Sequence, residues 1–468
     1  MVAVDEILSE WSVWWVPDTP DRRAVGELHF DTTDGPRLTL FDPLPGVRAA
    51  RFRSPTLIGE TFDGVALTLL RPVVVQQTSV LGHDRVRTQL RGQVLLRGGH
   101  ANSPEDVVVP RARVRLSGLR ELCFQPWPHN DQLVYFLGSE GPAERHVEVA
   151  GGSLTFLHSM SRNKTKFGES SEEDVEVLIE ASEPVPLDEF EERWVRPLEA
   201  LVIVASRAPS SLQSFTLLLE DPDAAELVHP AIRRSSNPQI WNETHIEVLT
   251  ETPGLSAQPP SEYEHLLVPF AALADGSHEF ISRWWDLYVE LGVAAVFLIG
   301  AFGSRMFLEN KLLTEMSFLE SYHRAKHGKP RIASEDHEQN VNAMLATVED
   351  KAQREHYRQK LRYAAEQNAR QRVKSLVRRA HRTLPLVPNL NAKLADQLID
   401  TRNALTHFDP TGPPALAGSD LFYVVARLEL VIRTNLLLDL QLGPTKVNEL
   451  VSTSYFNQVP LLDITGVV

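Results

Sequence analysis

The stretch "RNALTH", Arg402 to His407, combines three residue types that together can cut a phosphodiester bond. A histidine exchanges protons near neutral pH, so His407 can serve as a general acid or base. The planar fork of an arginine stabilises charge that develops on a phosphoryl group, which is the expected task of Arg402. The amide of Asn403 can orient either partner. The residue types are therefore compatible with phosphoryl chemistry, but their spacing alone is no evidence for it.

The spacing of these residues leaves a second interpretation open. Asp400, Asn403 and His407 share one face of a helix, whereas Arg402 lies about 140° from His407 at 100° per residue. The two side chains converge only if Arg402 reaches around the helix or if the helix frays near His407. The alternative is an exposed arginine beside a capping or core histidine. Prolines from position 410 onward predict that the helix ends close to the motif.

Composition limits the class of protein. The 468 residues carry a net charge of -15 and contain one cysteine, Cys123, which excludes an intramolecular disulfide and a zinc site built from several cysteines. The N-terminus lacks the basic region of a signal peptide. The most apolar run, Gly292 to Phe302, is shorter than the ~20 residues of a membrane span and predicts a buried helix. We therefore expect a cytoplasmic protein without a membrane segment.

Positive charge is concentrated in residues 351–382, which hold 11 Lys and Arg against 2 Asp and Glu. A strongly basic segment in an acidic chain is typical of a contact with a polyanion. It is equally typical of a solvated helix face, and the composition alone does not separate the two.

The first ~250 residues alternate apolar and polar positions between Gly, Pro and Asp turns, which predicts strands. "GELHFDTTDGPRLTLFD" alternates, turns at "DG" and alternates again. A helix over 187–207 follows a proline and opens with acids. We expect a β-sandwich or barrel-like domain over residues 1–255.

The second half has the longer period of helices. Three prolines and a glycine make 252–263 the predicted linker, so the helical domain is expected to cover 265–468. Helices are predicted near 277–303, 305–327, 335–382, 390–408 and 417–442, with a break in the third.

"RNALTH" resembles the Arg–polar–x3–His motif of HEPN domains, which are helical bundles. "MSFLESYHRAKHG", from Met316, resembles a helix of the ApeA-like HEPN subfamily, and "LFYVVARLELVIRTNLLLDLQLG", from Leu421, resembles its closing helix. "WWVPDTPDRRAVGELHFDTTDGPRLTLF" and "LIGETFDGVALTLL" are similar to the β-rich domain that precedes HEPN in ApeA anti-phage proteins. The expected fold class is therefore α+β, a β-rich domain followed by an all-α HEPN bundle.

The resemblance implies a metal-independent endoribonuclease that acts in abortive infection and needs no cofactor. RNA, with tRNA as a candidate target, would be cleaved by attack of its 2′-hydroxyl at a site shared by a homodimer of the helical domain. Glu320 resembles the acidic helix residue of the family and would hold Arg402 or polarise His407. The basic segment would hold the RNA backbone through Arg370, Arg372, Lys374, Arg378, Arg379 and Arg382. The β-rich domain would respond to a trigger such as a phage protein.

Other interpretations compete with these assignments. Some HEPN domains are non-catalytic, so the protein could instead be a sensor whose β-rich domain binds a ligand and whose helical domain dimerises. Glu320 could be a surface carboxylate. His323 and His327 have a metal-binding i, i+4 spacing, but the sequence offers no further ligand, and no metal is expected. The aromatic loop Phe124 to Asp131 could contact a ligand or pack against its own domain.

Overall fold

The structure is a computed structural model. It describes residues 8–32, 34–44, 54–79, 86–129, 131–138, 140–165, 168–219, 244–250, 266–303, 306–328, 334–361, 366–407 and 414–456. The chain forms two compact units, 1–282 and 283–468. The expected boundary between residues 255 and 265 lies outside the described residues.

Antiparallel strands make up most of the first unit. They are β1 (Leu8–Trp15), β2 (Ala24–Asp31), β3 (Gly35–Leu40), β4 (Thr56–Thr61), β5 (Ala66–Leu70), β6 (Val73–Ser79), β7 (Val86–Arg91), β8 (Val94–Arg97), β9 (Val108–Leu116), β10 (Trp127–His129), β11 (Gln132–Val134), β12 (Glu144–Val149), β13 (Gly152–Thr165), β14 (Gly168–Pro186), β15 (Leu212–Leu219) and β16 (Thr244–Thr250). Strand β2 alternates buried and half-buried positions along its whole length, as one face of a strand on a core requires.

Fourteen of these strands form one sheet in the order β12-β13-β14-β9-β15-β16-β8-β5-β4-β1-β2-β3-β7-β6. Strand β16 pairs with β15 on one side and with β8 on the other. It therefore joins an N-terminal half-sheet, built from β1 to β8, to a second half-sheet built from β9 and β12 to β15. Strands β10 and β11 form a separate hairpin.

The N-terminal half-sheet encloses an apolar cluster. Its members come from seven strands and one loop, and are Trp14, Ala24, Leu28, Leu38, Leu40, Leu44, Leu57, Leu67, Leu69, Leu90 and Leu95. Trp14 is fully buried, and its indole N–H donates to the hydroxyl of Ser12 at 2.7 Å. Gly59 lies opposite Trp14 in the β1–β4 register, and the absence of a side chain there makes room for the indole ring.

A buried helical segment packs in the second half-sheet. It consists of α2 (Leu187–Phe190), a π-helical turn over Glu191–Val195 and α3 (Arg196–Ser206). A short helix, α1 (Leu119–Phe124), precedes it in the chain. Pro197 cannot donate to the carbonyl of Arg193, and its ring would clash there in a regular helix. The wider π turn accommodates the proline. Phe190 stacks on Phe215 of β15 at 6.2 Å between ring centroids.

The second unit is helical. Its helices are α4 (Ser277–Leu291), which spans the division between the units, α5 (Val293–Gly303), α6 (Leu308–His327), α7 (Ser334–Ala346), α8 (Lys351–Leu361), α9 (Ala369–Thr383), α10 (Ala392–His407), α11 (Gly418–Asp439) and α12 (Pro444–Phe456). Helices α6, α9, α10 and α11 each contact the other three and form the core of the unit. Helix α5 packs on α6, and α12 packs on α9 and α11.

The fold class expected from the sequence is confirmed: a large β-sheet region precedes an all-helical region. The predicted helix over 277–303 is interrupted at Gly292, whose φ of +51° ends α4 in the left-handed region that glycine tolerates. The predicted helix over 335–382 is broken into α7, α8 and α9. A capping box between Asn368 and Gln371 begins α9.

Within the described residues, no single helix is both long and apolar enough to cross a membrane. One sharply bent pair, Phe270–Leu291 with Val293–Gly303, meets the length and composition requirement jointly.

Replacement of Gly59 by alanine is expected to lower the free energy of unfolding by about 1–3 kcal/mol, because the added methyl would lie 2.7 Å from the Trp14 ring. Gly276→Ala is the control, since a Cβ there meets no atom within 4 Å. Urea unfolding followed by tryptophan fluorescence measures both. Equal stability of the two variants would show that Trp14 does not depend on the space at position 59.

Candidate active site

Helix α10 carries the motif and is fixed by its apolar face. Leu394, Ala395, Leu398 and Ile399 are buried at helical spacing, which commits this face to the core shared with α6, α9 and α11. The opposite positions of the last two turns remain half-buried or exposed. Arg402 and Asn403 are therefore held on a rigid helix while their side chains stay accessible.

Arg402, Asn403 and Glu320 come together between α10 and α6. Arg402 Nη2 lies 3.6 Å from Glu320 Oε1, and Arg402 Nη1 donates to Asn403 Oδ1 at 3.1 Å. The side chains of Arg402 and Glu320 are 33% and 21% exposed. Glu320 Oε1 is buried and makes no hydrogen bond within the described residues. The guanidinium is thus oriented by an amide and attracted by a carboxylate that retains hydrogen-bonding capacity.

His407 is the last residue of α10, and its side chain lies outside the described part of the structure, as do residues 408–413. The backbone of α10 remains helical through position 407. Positions 402 and 407 of this helix therefore differ by about 140° around its axis. The backbone of α10 does not fray before His407, so it gives Arg402 and His407 no local means of converging.

Four of the six basic residues predicted to hold RNA are paired with carboxylates. Arg370 bridges Asp396 and Asp400 of α10, and Lys374 lies 2.9 Å from Asp396. Arg372, whose side chain is 6% exposed, lies 2.8 Å from Glu366. The fourth, Arg379, pairs with Asp439 of α11. These ion pairs neutralise much of the positive charge that the sequence concentrates in α9.

Arg378 and Arg382 are the two that remain exposed on α9. They are four residues apart, so both lie on one face of the helix, one turn apart. This pair is the accessible part of the predicted basic surface.

A polar network that sequence reasoning missed ties α6, α9 and α11 together. Arg379 Nη2 donates to Asp439 Oδ1 at 2.6 Å, and the hydroxyl of Tyr322 donates to the other oxygen of Asp439. Asn435 donates to the carbonyls of Leu376 and Val431 at 3.1 and 2.7 Å. Asp439 is 6% exposed on its side chain, so its charge is largely withdrawn from water and compensated by Arg379. The available sequence signal was Asp439 directly after the three leucines 436–438 near the end of α11.

The histidine pair on α6 packs inside the unit. His323 is buried, and burial lowers its pKa to about 4, with a smaller contribution from the neighbouring His327. His327 lies 3.9 Å from Asp439, and burial lowers its pKa as well. In the described parts of the chain, no group of three or more His, Cys, Asp and Glu side chains is arranged to hold a metal ion.

A second buried charge cluster secures α6 against α11. Glu315 is fully buried, and burial raises the pKa of its carboxyl well above the usual range. Lys311 lies 3.6 Å from Glu315 and 3.2 Å from Glu429, which also accepts from Arg433 at 3.0 Å. Because Glu320 stands on the same helix, these contacts fix the position from which it reaches Arg402.

The aromatic loop of the first unit forms the β10–β11 hairpin. Phe124 ends α1, and its ring lies 5.1 Å from that of His158 on β13. Pro128 and His129 are exposed, and Asn130 lies outside the described residues. The loop therefore packs at one end against its own unit and presents its tip to solvent.

The chain thus combines a β-rich region with a helical bundle that carries the Arg402–Asn403–Glu320 group. Residues 10–284 match the family model of ApeA N-terminal domain 1, and residues 313–445 match that of Apea-like HEPN. The first match alone covers more than half of the chain. The chain belongs to the ApeA-like HEPN family, a family of HEPN-type nucleases associated with anti-phage defence. Neither a curated protein nor a solved structure matches it significantly.

Replacement of Asp439 by asparagine is expected to lower the free energy of unfolding by about 1.5–3 kcal/mol, because Arg379 loses a charged hydrogen-bond acceptor in a half-buried site. Asp420→Asn, an exposed change on the same helix, is the control and is expected to stay within about 0.5 kcal/mol. Chemical denaturation measures both. A loss no larger at position 439 than at position 420 would contradict the structural role of the network.

Proposed function

We propose that this protein is a metal-independent endoribonuclease that acts in anti-phage abortive infection. Membership of a HEPN-type nuclease family supports the class of reaction. The observation that carries the proposal for this chain is the grouping of Arg402 with Asn403 and Glu320 on two helices of the bundle. The motif arginine is held by an amide and a carboxylate and remains one-third exposed, as a phosphate-binding group must be.

The proposed reaction is an internal transfer within the RNA. The 2′-oxygen attacks the adjacent phosphorus, the new 2′-oxygen–phosphorus bond forms, and the bond to the 5′-oxygen breaks. One proton leaves the 2′-hydroxyl to a general base, and one is delivered to the departing 5′-oxygen by a general acid. The products are a 2′,3′-cyclic phosphate and a 5′-hydroxyl, and no water, metal or redox partner enters the balance.

Each side chain has a proposed task in this step. Arg402 stabilises the negative charge that builds on the pentacoordinate phosphorus, where a guanidinium fork is effective. Asn403 orients that fork. Glu320 is a positioning residue, because it acts on Arg402 and does not touch the RNA in this proposal. His407 exchanges the proton.

A single motif provides one histidine, whereas the reaction needs a base and an acid. The positions of Arg402 and His407 also lie on different sides of α10, about 140° apart. We therefore propose a homodimer through the helical unit, in which a two-fold axis brings two copies of the motif into one cleft. The arginine of one copy can then act with the histidine of the other.

RNA in this proposal follows the exposed face of α9. Arg378 and Arg382 are accessible there, while Arg370 and Lys374 must first exchange Asp396 and Asp400 for phosphate oxygens. An acidic chain with a local basic face discriminates against unselective binding of polyanions. The contact is then selective for RNA that reaches the motif.

His407→Ala and Arg402→Ala are each expected to reduce the cleavage rate by about 10²–10⁴-fold, because each removes a group that acts on the transition state. Lys393→Ala, an exposed change on the same helix, is the control and should retain the wild-type rate. Single-turnover cleavage of tRNA by purified dimer, and RNA sequencing from phage-infected cells, measure the effect with and without a cellular trigger. Full cleavage by either motif variant under the condition that activates wild type would refute the assignment.

Glu320→Gln separates positioning from direct catalysis in the same assay. It removes the charge that faces Arg402 and leaves the size of the side chain, so the rate should fall less than in Arg402→Ala. Glu309→Gln, which is exposed near the start of α6, is the matched control. A wild-type rate for Glu320→Gln would show that the ion pair does not position the arginine.

The double variant Arg378→Gln and Arg382→Gln is expected to flatten the slope of log Kd against log salt concentration by about 1.4, because each lost phosphate contact on single-stranded RNA contributes about 0.7. Fluorescence anisotropy with a labelled single-stranded RNA in a His407→Ala background measures it without cleavage. Arg370→Gln with Lys374→Gln should change the slope less, since both residues are already paired. An unchanged slope in the first double variant would exclude α9 as the RNA surface.

A further inference from the structure

A cavity of about 370 Å³ opens on the polar face of the large sheet in the first unit. This volume lies within the range of sites for small molecules. The cavity is lined by Val65, Arg97, Gly98, Arg113, Glu176, Ser214, Thr216, His245 and Glu247. All nine belong to the β-rich unit, so the cavity is independent of the ribonuclease motif.

The strand register places the polar lining in one row. Arg113 of β9 pairs with Thr216 of β15, which pairs with Glu247 of β16, which in turn pairs with Arg97 of β8. Directly paired residues point to the same face of a sheet. The row is therefore a consequence of the fold and brings two arginines, a glutamate and a hydroxyl to one floor.

Gly98 makes room at the end of this row. Its φ is +107°, and a Cβ there would lie 2.9 Å from the carbonyl oxygen of His245. Any other residue would meet both backbone strain and a clash. The glycine therefore allows the backbone of β16 to approach the end of β8 closely.

The two carboxylates of the lining already have partners. Glu247 and Glu10 each lie 3.3 Å from Arg97, and Glu176 accepts from Arg115 at 2.7 Å. These ion pairs hold the side walls in place. They also leave Arg113 as the cation of the lining whose charge is not matched by a carboxylate within the described residues.

Arg113 and Arg97 each have a buried Nε that makes no hydrogen bond within the described residues. Because these Nε atoms are shielded from solvent, Arg113 can meet a ligand in the cavity only through its Nη atoms. Ser214 and Thr216 add hydroxyl groups beside Arg113. A guanidinium with adjacent hydroxyls is a binding arrangement for an oxyanion.

The same lining argues against a polyanion. Glu176 and Glu247 line the same cavity as the two arginines, and their negative charge opposes a nucleic-acid backbone, whose successive phosphates would meet these carboxylates. The carboxylates instead offer acceptors for hydroxyl groups. The lining also contains no Phe, Tyr or Trp ring on which a base could stack.

We propose that this cavity binds a small, polyhydroxylated organic molecule that carries one oxyanion, a phosphate ester or a carboxylate. Arg113 takes the oxyanion together with Ser214 and Thr216. Glu176 and Glu247 accept from the hydroxyl groups of the ligand. The β-rich unit is then a receptor for a small metabolite-like anion.

Isothermal titration calorimetry on the full chain tests the proposal with four probes: ribose 5-phosphate, gluconate, ribose and inorganic phosphate. We expect saturable binding, one per chain, of ribose 5-phosphate or gluconate, and this pair separates a phosphate ester from a carboxylate. Ribose and inorganic phosphate should bind at least about tenfold more weakly, since each lacks half of the recognised groups. Failure of both organic anions to bind with a Kd of about 1 mM or below overturns the proposal. Equal binding of inorganic phosphate overturns the organic part of it.

Variants locate the binding in this cavity. Arg113→Gln should weaken the bound anion by about 10–100-fold, since it removes a charged hydrogen-bond donor. Thr216→Val, which removes one hydroxyl at similar volume, should weaken it by several-fold and guards against a folding defect of the first variant. Arg111→Gln is the matched control, because it lies on the same strand but outside the lining. Unchanged binding in both Arg113→Gln and Thr216→Val would place the ligand elsewhere and refute the site.

Discussion

Helix α10 is fixed by its buried apolar face and makes ion pairs on two sides, and the geometry of the motif depends on that restraint. On one side Arg402 faces Glu320 of α6 at 3.6 Å, and on the other Asp400 accepts from Arg370 of α9 at 2.6 Å. Together with the buried apolar face of α10, these contacts fix the rotation of the helix in the bundle. The arginine and histidine positions of one chain are then kept about 140° apart. In the proposed dimer, the histidine of a second copy lies beside the arginine of the first, so the two groups need not converge within one chain.

The distribution of charge follows from the same restraint. The sequence concentrates positive charge in residues 351–382, and the fold pairs Arg370, Lys374 and Arg379 of α9 with carboxylates of α10 and α11. Such pairs contribute little where they are exposed and more where they are largely buried, as at Asp439. The accessible basic surface of α9 is consequently smaller than its sequence indicates, whereas the basic residues of α8 stay exposed. The β-rich unit shows the converse, because a row with two arginines and one glutamate leaves Arg113 of the cavity without a carboxylate partner among the described residues.

Local patterns were sufficient to predict the class of fold and the position of the motif. Alternation predicted the strands of the first unit, and the break at Gly292 or the π turn before Pro197 follows from glycine and proline chemistry once the structure is known. The central position of β16 in the sheet could not be predicted from the sequence, because its pairing with β8 joins segments about 150 residues apart. The partners of Arg370 and Arg379 were hidden for the same reason: an ion pair between helices depends on how the helices pack. Glu320 was selected by resemblance, and only packing brings it to Arg402.

The chemistry of the cleaved ends tests the central claim most directly. The purified chain, activated in an extract of phage-infected cells if it is latent alone, would be incubated with tRNA in the presence of EDTA, and both product ends mapped. Internal transfer by the 2′-hydroxyl predicts 2′,3′-cyclic phosphate and 5′-hydroxyl ends, formed by wild type and not by His407→Ala. Products with 3′-hydroxyl and 5′-phosphate ends, or cleavage that EDTA abolishes, would contradict the proposed mechanism.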